Sequence, residues 1–174
     1  MTTSSATFNN LRVNMAEQFK ESVSEPSPNT NIYLTFGAVE EWANESAPPA
    51  ANSTIASVYE IWSNMIGGKR LFGSNFAHVI PKTNWTANTA FTAYDHMRDD
   101  LFEDNVYFYV VTSNYGVYKC LANNNGAKSN VEPTSLSTDA AITTSDGYTW
   151  KYMYTVTDSD LLRYTTPNYI PVKT

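Results

Sequence analysis

Apolar residues recur at steps of three and four positions in two segments of the first half of the chain. Residues 8–23 form the first segment, and residues 55–66 form the second, which begins near Ser53 or Thr54 and stops at the glycines 67–68. Each stripe predicts an amphipathic helix with one face turned towards a core. The stripes consist of Phe8, Leu11, Met15, Phe19 and Val23 in the first helix, and Ile55, Val58, Tyr59, Trp62, Met65 and Ile66 in the second.

Alternation in one segment, and short runs rich in apolar and aromatic residues in others, predict strands elsewhere. Residues 31–37 read NIYLTFG, with a glycine closing the strand, and a short strand ends at Pro81. Residues 106–112 and 117–123 read VYFYVVT and VYKCLAN around a turn of four residues, a pattern typical of a β-hairpin. Near the C-terminus, the sequence DSDLLRY predicts one or two helical turns capped by Asp158 or Ser159.

Residues 146–156, DGYTWKYMYTV, carry the densest group of aromatic residues in the chain. With a period of two, four rings and Val156 fall on one side of a predicted strand. So large an apolar face must be covered, either by the rest of this chain or by a partner. The four rings belong to Tyr148, Trp150, Tyr152 and Tyr154.

Two polar segments interrupt these elements. Residues 40–52 contain acidic, proline and small residues and predict an irregular surface loop, in which Trp42 is unusual. Residues 123–147 are rich in Asn and Ser and predict a long connection that is too polar to be buried. Together the patterns predict a mainly β fold, with α+β elements, in which two helices are inserted in loops.

The length of 174 residues fits one domain, so we expect residues 1–174 to form a single domain. A charged fraction of 16%, with Asn, Ser and Thr as the main polar residues, suits a surface that lies against neighbours. The net charge of -6 and scattered basic residues argue against nucleic-acid binding. No apolar run is long enough to insert into a membrane, and the start MTTSSATF does not resemble a signal peptide.

Residues capable of catalysis are sparse. We interpret His78 and His96 as structural or surface residues, because no nucleophile with an orienting third group accompanies them. The acidic residues around 95–104 lack the spacing of a calcium loop and predict a solvated surface. The glycines of 67–70, GGKR, follow a helix and therefore end it instead of holding a phosphate. Cys120 predicts a buried thiol, and we expect no cofactor and no metal.

The aromatic fraction of 14% allows two interpretations. Rings on strands could stack against sugars, or they could fill a core and build protein contacts. The second interpretation is favoured for the 148–154 rings, since a sugar platform needs only two or three exposed rings. The predicted core comprises Ile32, Leu34, Phe36, Val58, Trp62, Met65, Phe108, Val110, Tyr118, Cys120, Tyr148, Trp150, Tyr152 and Tyr154.

Six short strings in a fixed order resemble one family. They are NIYLTFG, a nearby Glu41-Trp42, the helix with IWSNMIGGKR, then HVIPKTNW, GVYKCL and finally DGYTWKYMYTV with NYIPV. In this order, over about residues 8–172, they resemble the baseplate wedge subunit of contractile-tailed, T4-type bacteriophages, the gene-product-eight type.

The resemblance implies a layered β-sandwich with helices in its loops and a non-enzymatic role in the virion, at the tail baseplate. It implies synthesis in the host cytoplasm, contacts with other wedge subunits and pairing with itself. Members of the family continue beyond the position that matches Val172, so we expect part of that sandwich to be absent, replaced or outside residues 1–174, and self-pairing depends on whether the contacts for it lie in that part. The candidate contact positions that carry over are Trp42, Trp85, Asn44, Pro48, Pro49 and Asn52.

Two other classes of function stay open at this point. A carbohydrate- or receptor-binding tail module would need exposed Trp or Tyr rings. An enzyme would need Asp95 or His96 in a concave pocket with supporting residues. The favoured hypothesis is a structural subunit whose contacts hold the baseplate together and rearrange during host attachment and tail contraction.

Overall fold

A computed structural model describes residues 5–25, 30–37, 41–50, 52–101, 103 and 105–173, with side chains from residue 11 onwards. Over these residues the prediction of a mainly β fold with helices is confirmed. The helices are α1 (Ser5–Ser24), α2 (Ile55–Ser63) and α3 (Asp158–Tyr164). The strands are β1 (Ile32–Phe36), β2 (Gly67–Leu71), β3 (Val79–Pro81), β4 (Tyr109–Val111), β5 (Gly116–Asn123), β6 (Ile142–Thr143), β7 (Tyr148–Thr155) and β8 (Tyr169–Pro171).

The chain divides into two compact units. Unit 1 comprises residues 1–12 and 77–174, and unit 2 comprises Val13–Phe76. The single domain expected over residues 1–174 stays a prediction, and each unit is described by itself.

Unit 1 is built on a four-stranded antiparallel sheet with the strand order β4-β5-β7-β6. The predicted hairpin of β4 and β5 is confirmed, and its turn places Tyr115 in the left-handed region at φ 58°. A second antiparallel pair joins β3 to β8, with Ile80 opposite Ile170. The aromatic segment forms β7, one of the two central strands, so most of its backbone bonds are made within the sheet.

Both faces of the four-stranded sheet are covered within unit 1. Neighbouring residues on β4 point to opposite faces, which places Val110 in one apolar cluster and Val111 in another. The second cluster includes Ile170 of β8, with Ile80 of β3 packed against it. The pair β3 and β8 therefore packs on one face of the larger sheet as a second layer. The first cluster comprises Phe91, Val110, Tyr118, Cys120, Tyr148 and Trp150, all buried.

The rings of β7 do not all lie on one face, which corrects the simple alternation expected from the sequence. Val117 of β5 is opposite Tyr154, whereas the next residue, Tyr118, is opposite Tyr152. Met153 is therefore an extra residue, and the strand bulges there. As a consequence Tyr152 packs with the first cluster and Tyr154 with the second.

Unit 2 contains the two-stranded antiparallel pair of β1 and β2, with α2 between them in sequence. Strand β2 was not predicted: the glycines 67–68 were expected to end the helix, but α2 ends at Ser63 and both glycines lie in β2. Gly67 lies opposite Phe36, and a Cβ atom at Gly67 would come within 2.9 Å of the Phe36 ring. A side chain at this position would displace that ring.

The predicted N-terminal helix is confirmed as α1. Within unit 2, Val23 is buried, and the Phe19 and Phe76 rings meet edge to face at 5.4 Å between centroids. The end of α1 also packs closely against Gly73, where a Cβ atom would collide with Ser24. These contacts hold the C-terminal part of α1 in unit 2.

Threonines cap the two shorter helices. Thr54 caps α2, one of the two predicted positions, and its Oγ1 accepts a hydrogen bond from the Ser57 amide at 3.3 Å. Helix α3 is capped by Thr157, which accepts from the Asp160 amide, so the expected cap at Asp158 or Ser159 is one or two residues too late.

Several predicted core residues of unit 2 are exposed, and their assignment to a core within this chain is wrong. Leu34 is 58% exposed, Phe36 63%, Val58 45% and Trp62 69%. Ile32 and Met65 are half-buried. The cause is geometric: one two-stranded pair, α2 and the C-terminal part of α1 leave apolar side chains of the described part of unit 2 without a covering layer. By contrast, Val110, Tyr118, Cys120, Tyr148 and Trp150 are buried, and Phe108, Tyr152 and Tyr154 are half-buried.

Candidate interaction surfaces

Helix α2 exposes its apolar stripe. Ile55 is 77% exposed, Tyr59 71% and Trp62 69%, and no residue of the helix is buried. These residues, with Val58, lie at helical spacings of three and four and form one face, here called the α2 stripe. An aromatic side chain has a surface of about 150 to 250 Å². Since Tyr59 is 71% and Trp62 69% exposed, these two side chains together expose roughly 300 Å². A solitary soluble protein rarely exposes a contiguous apolar patch much larger than this.

A cavity of about 460 Å³ lies beside another face of α2, entirely within unit 2. Its apolar walls include Phe36, Trp42 and Ile61, and Glu60 contributes a carboxylate to the lining. Pro49 and Asn52, which lie on the preceding loop, line another part of the cavity. This volume is within the range of pockets that hold a small ligand or an anchoring side chain.

The loop that carries Trp42 is ordered by short-range hydrogen bonds. Glu45 Oε1 accepts from the Trp42 amide at 3.0 Å, and Asn44 Oδ1 accepts from the Ser46 amide at 3.0 Å. Asn52 Oδ1 accepts from both the amide and the hydroxyl of Thr54 at the start of α2. Trp42 stays 48% exposed, so its ring is available at the mouth of the cavity.

The predicted contact residues do not form one group. Trp42, Pro49 and Asn52 meet at the cavity, and Asn44 and Pro48 are exposed on the same loop. Trp85 lies in unit 1, where it packs against the first apolar cluster and its Nε1 donates to Ser129 Oγ at 3.2 Å. The structure therefore gives Trp85 an intramolecular packing role.

Asp146 fixes the long connection of unit 1. One carboxylate oxygen, Oδ2, accepts from Ser129 Oγ at 2.9 Å, from the Asn130 amide at 2.8 Å and from the Val131 amide at 3.0 Å. The other, Oδ1, accepts from Thr144 Oγ1 at 2.5 Å. Burial opposes ionisation, but these hydrogen bonds outweigh it and hold the pKa of Asp146 well below its ordinary value.

Because of this clamp, the connection is not uniformly at the surface, as its polarity suggested. Ser129 and Pro133 are buried, and Ala127 O accepts from the Tyr148 hydroxyl at 2.5 Å. The sequence contains a signal for the turn, since Asp-Gly at 146–147 is a strong turn dipeptide. Its role in holding a distant segment cannot be read from local spacing.

The β7 rings do not form a sugar-stacking platform. Tyr148 and Trp150 are fully buried, and their rings stack on each other at 5.4 Å between centroids. The Phe91 ring meets Trp150 edge to face at 5.6 Å. This burial answers the question raised by the sequence: the densest ring surface is covered by its own chain. It also removes the observation that favoured a carbohydrate-binding module.

The candidate catalytic residues are surface residues. His96 and Asp95 approach to 3.9 Å, and both are largely exposed. Asp95 and Arg98 line an open depression of about 490 Å³, but Arg98 pairs with Asp100 through two bonds of 2.7 and 2.6 Å. Across the described ranges, no group of three or more His, Cys, Asp or Glu residues could hold a metal ion.

Two further features concern the thiol and the helices. Cys120 is buried, and burial raises the pKa of its thiol to about 12, so the reactive thiolate is scarce at neutral pH. Among the described residues, no helix combines the length and apolar character needed to cross a bilayer.

The fold and surfaces define a class of protein: a β-rich protein with a closed aromatic core in one unit and an exposed apolar surface in the other. Comparison with known proteins identifies the family. The family described as "Bacteriophage T4, Gp8" matches residues 5–135, that is, 131 of the 174 residues. The chain belongs to this family.

One curated relative is the "Baseplate wedge protein gp8" of Enterobacteria phage T4. The two chains are 31% identical over 106 residues, which cover 56% of this chain. The chain spans only about a third of that relative, 31% of its length. The family match ends at residue 135, so strands β6 to β8 lie beyond it.

Proposed function

We propose that this protein is a structural subunit of the baseplate wedge of a phage tail, and that it works through protein contacts and not through catalysis. The observation that carries the proposal is the family match over residues 5–135. The T4 relative is named as a baseplate wedge protein, and its alignment covers 56% of this chain.

The structure supports this function in two ways. The core of unit 1 is closed on both faces of its main sheet, which suits a subunit that keeps its fold under load. Unit 2 presents the α2 stripe and the Trp42 cavity to its surroundings, which suits a subunit that is held by its neighbours.

We propose that the chain resides in the virion, at the tail baseplate, and that its partners are other wedge subunits. On host contact, these contacts would shift while each subunit keeps its fold, as in a rigid-body switch. Pairing between two copies of this chain stays a prediction.

The direct test is to localise the chain in purified virions. Mass spectrometry of the particles should detect it, and gold-labelled antibodies raised against the purified chain should mark the baseplate end of the tail. Antibodies against a head protein provide the control for labelling. Virions that lack the chain, or labelling confined to the head, would contradict the proposal.

The rigid-body part has a separate test. Hydrogen exchange of the slow amides in β5 and β7 should be the same in extended and contracted tails, because the sheet stays folded. Loss of protection in both strands on contraction would show that the subunit unfolds.

A further inference from the structure

All of the net charge of the chain is contributed by one segment. Residues 21–68 contain six glutamates and no Lys, Arg or His, so they carry a formal charge of -6. The remaining residues contain eleven acidic and eleven basic residues and are formally neutral. The segment includes β1, α2 and the loop between them, and therefore both surfaces described for unit 2.

The position of this charge matters because the same segment exposes the α2 stripe. Glu60 is exposed on α2 and lines the cavity beside Trp42, and Glu41 and Glu45 are exposed on the loop that leads to it. The two basic residues nearest in sequence on the C-terminal side, Lys69 and Arg70, lie on β2, where Arg70 stacks over the Phe72 ring at 5.2 Å. Glu60 therefore lies on the cavity side of α2, and the α2 stripe lies on the other side of the same helix.

We propose that the two sides of α2, the α2 stripe on one and the cavity of unit 2 on the other, bind a different virion protein through an apolar surface that is bordered by Lys and Arg. This inference rests on the proposed function and names the chemistry of the partner. The apolar groups of that partner would cover Ile55, Tyr59 and Trp62, and its basic groups would face the carboxylates of residues 41–60.

The cavity fits the side chain of a Lys or Arg residue from such a partner. Its apolar walls suit the methylene stem, the exposed Trp42 ring suits a cation, and Glu60 supplies the opposite charge. Glu45 holds the Trp42 backbone in place through its bond to the amide. Unit 2 therefore combines an apolar surface, the α2 stripe, with a cavity that favours a positively charged side chain.

The charge also decides against other occupants. A second copy that used the same surface would bring two segments of charge -6 together, and like charges across an interface oppose association. Nucleic acids and the anionic surface of a cytoplasmic membrane carry the same sign and would be repelled. A basic protein surface is the occupant that satisfies both the apolar area and the charge.

The test uses photo-crosslinking in assembled virions. The photoreactive residue p-benzoylphenylalanine replaces Tyr59 in one variant and Trp62 in another, and Leu162, which is 89% exposed on α3 of unit 1, in the control. After irradiation, mass spectrometry identifies the adducts. Positions 59 and 62 should both join a virion protein other than this chain, at a segment with net positive charge, with a yield at least fivefold above that of the control.

A charge variant tests the electrostatic part. In the background of Glu60→Lys, the yield of the adducts from positions 59 and 62 should fall at least fivefold, because the cavity now repels the basic side chain of the partner. Glu103→Lys, an exposed change of the same kind in unit 1, should leave the yield unchanged.

Three results would overturn the inference: adducts that join two copies of this chain through position 59 or 62, adducts to an acidic segment, or yields no higher than the control. Each of these three results counts only when the variant chain is present in the virion. If the wild-type chain is absent from the particles, and so are variants that fold in solution, the proposed function is contradicted instead.

Discussion

At the scale of single residues, two tryptophans show opposite solutions to the same problem of covering a large ring. Trp150 is fully buried between Tyr148 and Phe91, whereas Trp62 is 69% exposed on α2. The sequence assigned both to a core, since apolar periodicity does not distinguish a face covered by the same chain from one covered by another. The two tryptophans differ in how many layers of secondary structure surround each side chain.

Replacing each ring by alanine should therefore give very different results. Trp150→Ala should lower the free energy of unfolding by about 3 to 5 kcal/mol, because it leaves a large cavity in the core. Trp62→Ala should change it by no more than about 0.5 kcal/mol, because the ring makes few contacts in the free chain. Urea unfolding followed by circular dichroism measures both, and equal losses would contradict the assigned burial.

At the scale of elements, the predictions from sequence succeeded where the pattern was local. The helices α1 and α2, the strands β1 and β3, the β4-β5 hairpin and the strand β7 all follow from periodicity and turn residues. Strand β2 was missed because Gly67 and Gly68 are typical helix terminators, and their pairing with β1, which brings Gly67 close to the Phe36 ring, joins residues far apart in sequence. The bulge at Met153 was missed because the residue opposite each position is not encoded locally.

The clamp made by Asp146 predicts a pH-dependent effect on stability. Asp146→Asn should cost about 1 to 2 kcal/mol at pH 7, after allowance for solvent screening of a half-buried group, because it removes charged acceptors from Ser129, Asn130 and Val131. The pKa of Asp146 is depressed in the folded state, so its contribution is complete above about pH 4, the ordinary pKa of an aspartate, and is lost as the pH falls further.

Urea midpoints of the wild type and Asp146→Asn should thus differ by a constant amount between pH 6 and 8 and converge below about pH 4. The exposed Asp139 provides the matched control, and Asp139→Asn should have little effect at any pH. A difference that stays the same or grows at pH 3 would show that the Asp146 carboxylate does not hold the connection.

The turn before β7 offers a second test with a matched pair of glycines. Gly147 and Gly126 have φ values of 82° and 81°, so alanine strains the backbone equally at both. A Cβ atom at Gly147 would lie 2.8 Å from the Asn124 side chain, whereas at Gly126 nothing lies within 4 Å. Gly147→Ala should displace Asn124 and break its hydrogen bond to Asp146 O.

We expect Gly147→Ala to lower the free energy of unfolding by about 1 kcal/mol more than Gly126→Ala, the value of one lost hydrogen bond. Thermal unfolding of the two variants under identical conditions measures the difference. If Gly126→Ala proved as destabilising as Gly147→Ala, backbone strain alone would account for both losses, and the packing of Asn124 against the turn would be wrong.

At the scale of the whole molecule, the sequence defined the class of protein better than it defined the surface. Charge and the absence of a catalytic pattern indicated a contact-making protein, and the order of short motifs indicated the family. The contact positions were chosen from loops, so Trp42 and Asn52 were included but the α2 stripe was assigned to the core. A helical stripe that faces solvent is visible only when the number of covering elements is known.

The uneven charge was present in the sequence but becomes informative only with the structure. A basic-free run of 48 residues, 21–68, has no evident meaning until α2 is seen to expose Tyr59 and Trp62 within it. Apolar area and excess negative charge then coincide on unit 2. The account of a subunit held by its neighbours depends on that coincidence.

Cryo-electron microscopy of the intact tail tests the central claim most directly. We predict that the chain is found in the baseplate, with the four-stranded sheet of unit 1 as described and the α2 stripe covered by another protein. The contradictory result is a complete reconstruction of the tail in which no density corresponds to this chain.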